Sequence, residues 1–157
     1  MKKDEKVFRV PPFIRTITII FALLALVWAI YYITNGISQT DKWFKKLSPF
    51  IVLFLVVSVL HKNLFTVNSI HIEDNFLQFR FILKRAIRID WTAIKKLEFG
   101  VKRRNAICLT YEENGVDKQI IIPRGIQEII SALNLIAKRA QNLELDDFMK
   151  TVIKNET

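Results

Sequence analysis

The chain has 157 residues, 51% of them hydrophobic, and carries 24 lysines and arginines against 15 aspartates and glutamates for a formal charge of +9. That apolar content excludes an intrinsically disordered chain, and a single cysteine, Cys108, excludes an internal disulfide framework. The excess of positive charge suits three anionic or polar environments, namely nucleic acid, an anionic membrane and plain solvent.

The apolar residues are unevenly spread. Residues 16–40 contain no Asp, Glu, Lys or Arg, and "TITIIFALLALVWAIYYIT" within them is a 19-residue run of nearly continuous apolar character. As a helix it is about 28 Å long, close to the ~30 Å hydrocarbon thickness of a bilayer. A helix apolar on every side needs a large protein around it, and a secretory signal has a shorter core and a small-residue cleavage site. The run ends instead in bulky Trp28, Tyr31 and Tyr32, residues that suit the headgroup level.

A second apolar stretch, "LSPFIVLFLVVSVLHKNLF", occupies residues 47–65. Ser48 is expected to cap this helix and Pro49 to sit in its first turn, where proline's missing N–H costs nothing. Its uncharged part, Leu47 to Leu60, is 14 residues, so a full span and a re-entrant segment both remain open. With spans at about 16–37 and 47–66, residues 1–66 form an N-terminal tail and a transmembrane hairpin. Lys2, Lys3, Lys6, Arg9 and Arg15 precede the first span, and Lys42, Lys45 and Lys46 lie in the connecting loop. The asymmetry predicts a multi-pass protein of the inner (cytoplasmic) membrane with both termini in the cytoplasm.

From Thr66 the pattern alternates with the period of a half-buried strand. Six strands are expected: "SIHIE" (69–73), "FLQFRFIL" (76–83), "AIRIDW" (86–91), "KKLEFGVK" (95–102), "AICLTYE" (106–112) and "KQIII" (118–122). Their inward faces carry Ile70 and Ile72; Leu77, Phe79, Phe81 and Leu83; Ile87, Ile89 and Trp91; Leu97, Phe99 and Val101; Ile107, Leu109 and Tyr111. Asn114-Gly115 marks a two-residue hairpin turn. The period then lengthens: Ile126, Ile129, Ile130, Leu133, Ile136, Ala137 and Ala140 form one stripe of a helix, and Leu145, Phe148, Met149, Val152 and Ile153 a shorter one. Residues 67–157 thus read as an antiparallel β-meander or partly open barrel capped by a C-terminal helix, an α+β soluble domain behind a membrane α-hairpin.

This order resembles bacterial pleckstrin-homology-like (PH-like) domains, and more closely the YdbS-like and YcxB-like small membrane proteins, which place such a domain behind a two-helix transmembrane hairpin. The resemblance rests on "LQFRFILKRAIRIDWTAIKKLEF", where a strand pair leads into Trp91 to Ile94, and on "QIIIPRGIQEIISAL", where the last strand passes through Pro123 into a helix. It implies a seven-stranded fold, one more strand than the pattern yields. Arg80, Lys84, Arg85 and Arg88 echo the basic first hairpin of phosphoinositide-binding relatives.

Catalytic patterns are sparse. His61 and His71 stand apart from any carboxylate or cysteine at metal-ligand spacing, and His71 alternates with Ile70 and Ile72 as a surface strand position does. Cys108 reads as a small buried side chain. No cofactor or metal is expected, and no enzymatic activity. Residues 81–104 hold eight lysines and arginines against Asp90 and Glu98. The aromatic residues among them fall on the inward phase, which disfavours a nucleic-acid stacking surface. Arg80, Lys84, Arg85, Arg88, Lys102, Arg103 and Arg104 are the candidate contacts to headgroups or an acidic partner. The function expected is a membrane-anchored, non-enzymatic adaptor or scaffold, its cytoplasmic domain offered to a protein partner, anionic lipid headgroups or a second copy. Alternatives are a membrane-tethered nucleic-acid-binding regulator and a small subunit of a transport or envelope complex.

Overall fold

A computed structural model describes residues 6–36, 42–100 and 106–154. It divides into two compact units, the helical pair Pro12–Phe65 and a sheet unit built from the chain on either side of it.

In the helical unit, α1 (Pro12–Tyr31) starts on a proline, whose fixed φ suits a first helical position, and ends in a π-helical turn, Tyr32–Gly36. The second helix, α2 (Trp43–Phe65), begins earlier than the sequence suggests, so Ser48 is not a cap and Pro49 lies inside the helix. The Ser48 hydroxyl explains how proline is accommodated: it donates to the Lys45 carbonyl at 3.1 Å, the acceptor that an N–H at position 49 would otherwise have used. Thr18, Thr34 and Ser58 likewise donate to carbonyls one turn back. The helices pack against each other. Ala22 and Ala29 are buried on α1, and Pro49 and Val56 on α2, each pair one heptad apart. Large apolar side chains elsewhere on both helices, including Phe13, Phe21, Val27, Phe54 and Leu55, are exposed. Pro12–Gly36 and Trp43–Phe65, 25 and 23 residues, are each long and apolar enough to cross a bilayer.

The sheet unit contains β1 (Lys6–Arg9), β2 (Ser69–Ile72), β3 (Phe76–Arg80) and β4 (Ile87–Asp90), hydrogen-bonded in that order and antiparallel. A 3-10 turn, Trp91–Ala93, then carries the chain into a second sheet of β5 (Ile94–Phe99), β6 (Ile107–Glu113) and β7 (Val116–Ile122). These pair antiparallel, with β8 (Glu144–Leu145) parallel to the free edge of β5. Two helices complete the unit, α3 (Ile129–Arg139) and α4 (Asp147–Lys154). One buried cluster draws on both sheets and both helices, with Ile70, Leu77, Phe79, Ile94, Leu97, Leu109, Ile122, Leu133, Ile136 and Met149 essentially inaccessible. Asn114 (φ 56°) and Gly115 (φ 76°) both adopt the left-handed backbone that the hairpin turn requires.

The sequence reading is corrected at several points. The six strands belong to two sheets, and two further strands join them. One is β1, in the segment read as a tail: Phe8 points into the core while Val7 and Arg9 face out, and the ladder continues from the Val10 N–H to the Asn68 carbonyl at 3.1 Å. Strand β3 stops at Arg80, so Leu83 leaves the inward phase and is 62% exposed. His71 is buried, not a surface residue: it lies on the interior strand β2 with Val7 and Gln78 opposite it in register, and Ser69 Oγ meets its Nε2 at 3.2 Å. Helix α3 starts after Glu128, which holds a left-handed backbone (φ 52°) while Gln127 N–H bonds to the Arg9 carbonyl.

The terminal helix packs on protein: Met149 is buried, and the Phe148 ring lies 4.5 Å from that of Phe99. Asp146 fixes this arrangement by accepting from the Phe99 N–H at 2.6 Å and, as an N-terminal cap, from the Met149 N–H at 2.7 Å.

Because β1 and β2 are neighbours although Pro12–Phe65 separates them, removing that segment is expected to leave a foldable unit. A variant in which a short glycine-serine turn replaces Pro12–Phe65 should be soluble and unfold cooperatively in urea. A fragment beginning at Thr66 lacks β1, and loss of buried Phe8 alone costs about 3–5 kcal/mol. That fragment should unfold at distinctly lower urea or not fold at all.

Candidate functional site

The first sheet carries opposite charge at its two ends. Arg9, Ser69 and Arg80 stand in one row across β1, β2 and β3. From this row the chain departs through Val10 and Pro11 into α1, and to it the chain returns from α2 through Thr66, Val67 and Asn68. The β3–β4 loop, residues 81–86, leaves from the same end, because Phe79 pairs with Ile87. Neighbouring strands are about 4.8 Å apart, so Arg9 and Arg80 lie about 10 Å from each other across Ser69. Both are exposed, as are Lys84, Arg85 and Arg88. Strand alternation puts Arg9, Arg80 and Arg88 on the outward face, and no Asp or Glu occurs between Asn75 and Ile89.

The far end is acidic and already occupied. Arg139 of α3 donates to the Glu73 carbonyl at 2.6 Å and pairs with Asp74 at 3.2 Å. Trp91 donates from its indole nitrogen to the Asp74 carbonyl at 3.0 Å, and Arg139 lies over its ring. The result is a pin joining the β2–β3 turn to the start of the second sheet and the end of α3.

The basic residues of the 81–104 stretch divide accordingly. Lys95 is held between Glu112 and Asp117, 2.7 Å from each, and hydrogen bonds to Asp117 and then Glu112 raise its pKa above the ordinary lysine value. Lys96 pairs with Glu98 at 2.8 Å, and that hydrogen bond raises its pKa too. Both lysines are charged at neutral pH, and their carboxylates already satisfy them. Among the described residues, Arg80, Lys84, Arg85 and Arg88 form no ion pair; Lys84 lies over the Phe81 ring at 5.4 Å and Arg88 over the Phe76 ring at 5.1 Å. Lys102, Arg103 and Arg104 lie outside the described residues. From sequence Arg9 reads only as a charge flanking the first span; its place in the row with Arg80 depends on a strand pairing that carries no local signal.

A cleft of about 530 Å³ between β1 and α3 is lined by Lys6, Phe8, Glu128, Ser131 and Asn134 among others. No group of three or more His, Cys, Asp or Glu side chains that could hold a metal occurs among the described residues. The arrangement with the most definite chemistry is therefore the basic end of the first sheet, which can bind several phosphates or carboxylates at once. No family model, curated protein or solved structure matches the chain.

If these cations serve binding and not folding, removing them singly should barely change stability. Arg80→Ala, Lys84→Ala and Arg85→Ala should each shift the unfolding free energy by less than about 0.5 kcal/mol. Arg139→Ala, which breaks the pin at the acidic end, should cost about 1–2 kcal/mol in the same urea titration.

Proposed function

We propose that the protein is a membrane-anchored, non-enzymatic adaptor, in which α1 and α2 cross the bilayer as a hairpin and the sheet unit is a PH-like domain held at the cytoplasmic surface. The observation that carries this reading is the exposure of large apolar side chains along both helices of a pair whose length matches a bilayer. Water would penalise that surface heavily, and lipid removes the penalty. A core helix of a soluble protein would be covered instead.

The PH-like reading is supported by strand number. With β1 included, seven strands precede α3, the number the resemblance to YdbS-like and YcxB-like proteins implies. In this reading the hairpin is an insertion between the first and second strands, and both ends of the insertion emerge on the side where the domain lies. The excess of basic residues before the first span over those in the loop favours the cytoplasmic side. A domain so held is presented to a protein partner, to anionic headgroups or to a second copy of the chain.

Regulation through nucleic acid is less well supported. The Trp91 ring lies beneath Arg139, and the Phe99 ring is flanked by Arg124 at 4.4 Å and by Phe148, so neither offers a free stacking face.

Two measurements test the proposal together. The full chain should remain in the pellet after alkaline carbonate extraction of membranes. In a Cys108→Ser background, Val116→Cys and Lys42→Cys should react with an impermeant maleimide from opposite sides of sealed vesicles. Release by carbonate, or labelling of both sites from one side, would refute the two-span topology.

A further inference from the structure

The β3–β4 loop has a composition and a position that headgroup attraction alone does not explain. Its sequence, from Arg80 through Phe81, Ile82, Leu83, Lys84 and Arg85, places two adjacent aliphatic side chains between basic ones. Leu83 is 62% exposed and Ile82 44% exposed, and Leu83 is the most exposed large hydrophobic side chain of the sheet unit among the described residues. A loop that only had to be soluble would gain nothing from that pair. A loop meant for the core would have continued β3 and turned Leu83 inward; instead the strand ends at Arg80 and the pair is left outside.

The loop issues from the same end of the sheet as the row of Arg9, Ser69 and Arg80, where the chain joins both apolar helices. The acidic turn at Glu73 and Asp74 is at the other end and is pinned by Arg139. Arg80, Lys84, Arg85 and Arg88 form no ion pair among the described residues, no carboxylate lies between positions 75 and 89, and the Phe81 and Phe76 rings support two of the cationic groups.

We propose that this loop is a lipid-inserting element, with Ile82 and Leu83 entering the acyl region of an anionic leaflet while Arg80, Lys84, Arg85 and Arg88 bind its phosphates. The occupant is the leaflet that carries the protein's own helices. Aliphatic tips do not stack on bases, and an acidic protein surface has no hydrocarbon beneath its charges, whereas an anionic bilayer offers both layers in the order the loop presents them. The proposal rests on the membrane-anchored reading and assigns that reading its lipid contact.

The test uses the full chain reconstituted in bilayers of phosphatidylglycerol mixed with phosphatidylcholine, and in phosphatidylcholine alone. In a Cys108→Ser background, an environment-sensitive fluorophore is attached at Leu83→Cys or, for comparison, at exposed Val116→Cys beside the β6–β7 turn. The label at position 83 should shift to the blue and be quenched by acyl-chain spin-labelled lipid in the anionic bilayer, and much less in the neutral one or at high salt. The label at position 116 should stay aqueous in both.

Each of Arg80→Gln, Lys84→Gln and Arg85→Gln should lower the ratio of inserted to free loop about fivefold. Because a fluorophore is itself apolar, amide exchange of residues 81–86 is followed on the unlabelled chain and should slow in the anionic bilayer. A loop label as accessible to aqueous iodide as the one at position 116, with no slowing of exchange, overturns the proposal. Protection by duplex DNA but not by the anionic bilayer overturns it in favour of nucleic acid. A chain released by carbonate overturns the anchored reading and this one together, whereas a retained chain with an aqueous loop overturns this one alone.

Discussion

The pairing of β1 with β2 is the constraint on which the rest of the structure depends. Lys6–Arg9 lies beside Ser69–Ile72 in continuous register, and the Val10 N–H carries the ladder one step further. Everything between, Pro12–Phe65, must therefore leave the sheet and come back to the same end of it. An antiparallel helical pair meets that requirement because its two ends lie together. Without β1, strand β2 would be an edge with unpaired N–H and C=O groups, and Phe8 would be missing from the core.

The same constraint gives the sheet unit its polarity. Fixing Arg9 beside Ser69 fixes Arg80 in the same row and sends the β3–β4 loop out from that end. The basic groups collect where the helices are joined, and the acidic turn collects at the opposite end, where Arg139 and Trp91 tie it down. Elsewhere positive charge is internally balanced, as at Lys95 between Glu112 and Asp117. A net charge of +9 is thus a poor guide to where an anion would bind, and the register of a few strands is a better one.

Local periodicity revealed much of this architecture. The apolar runs marked both helices, the alternation from Ser69 onward marked β2 to β7, Asn114-Gly115 marked its turn, and the stripe from Ile126 to Ala140 marked α3, which begins only at Ile129. What it missed depended on long-range partners. Strand β1 is four residues before a proline pair, β8 is two residues without a pattern of its own, and neither exists apart from the edge it joins. Ser48 and Pro49 have the composition of a helix start but lie inside α2, where the hydroxyl takes over the acceptor that the proline cannot use. His71 has the alternation of an exposed residue yet is buried, on a strand that pairs with a neighbour on each side. At the candidate site, Arg80, Lys84, Arg85 and Arg88 were visible in the sequence, whereas the neutralisation of Lys95 required knowing that β5 and β7 both flank β6.

The central claim is that two strands separated by a bilayer-length helical pair are neighbours in one sheet while the chain is held in a membrane. A cross-link tests it most directly: Arg9→Cys with Ser69→Cys, in a Cys108→Ser background, oxidised in native membranes and then extracted with alkaline carbonate. Residues directly opposite each other on paired strands have Cα atoms about 4.5–5.5 Å apart, within disulfide reach. The account predicts rapid formation of the intramolecular disulfide in protein that stays in the pellet. Failure of this pair to cross-link in folded protein, or a cross-linked chain found in the supernatant, would contradict it.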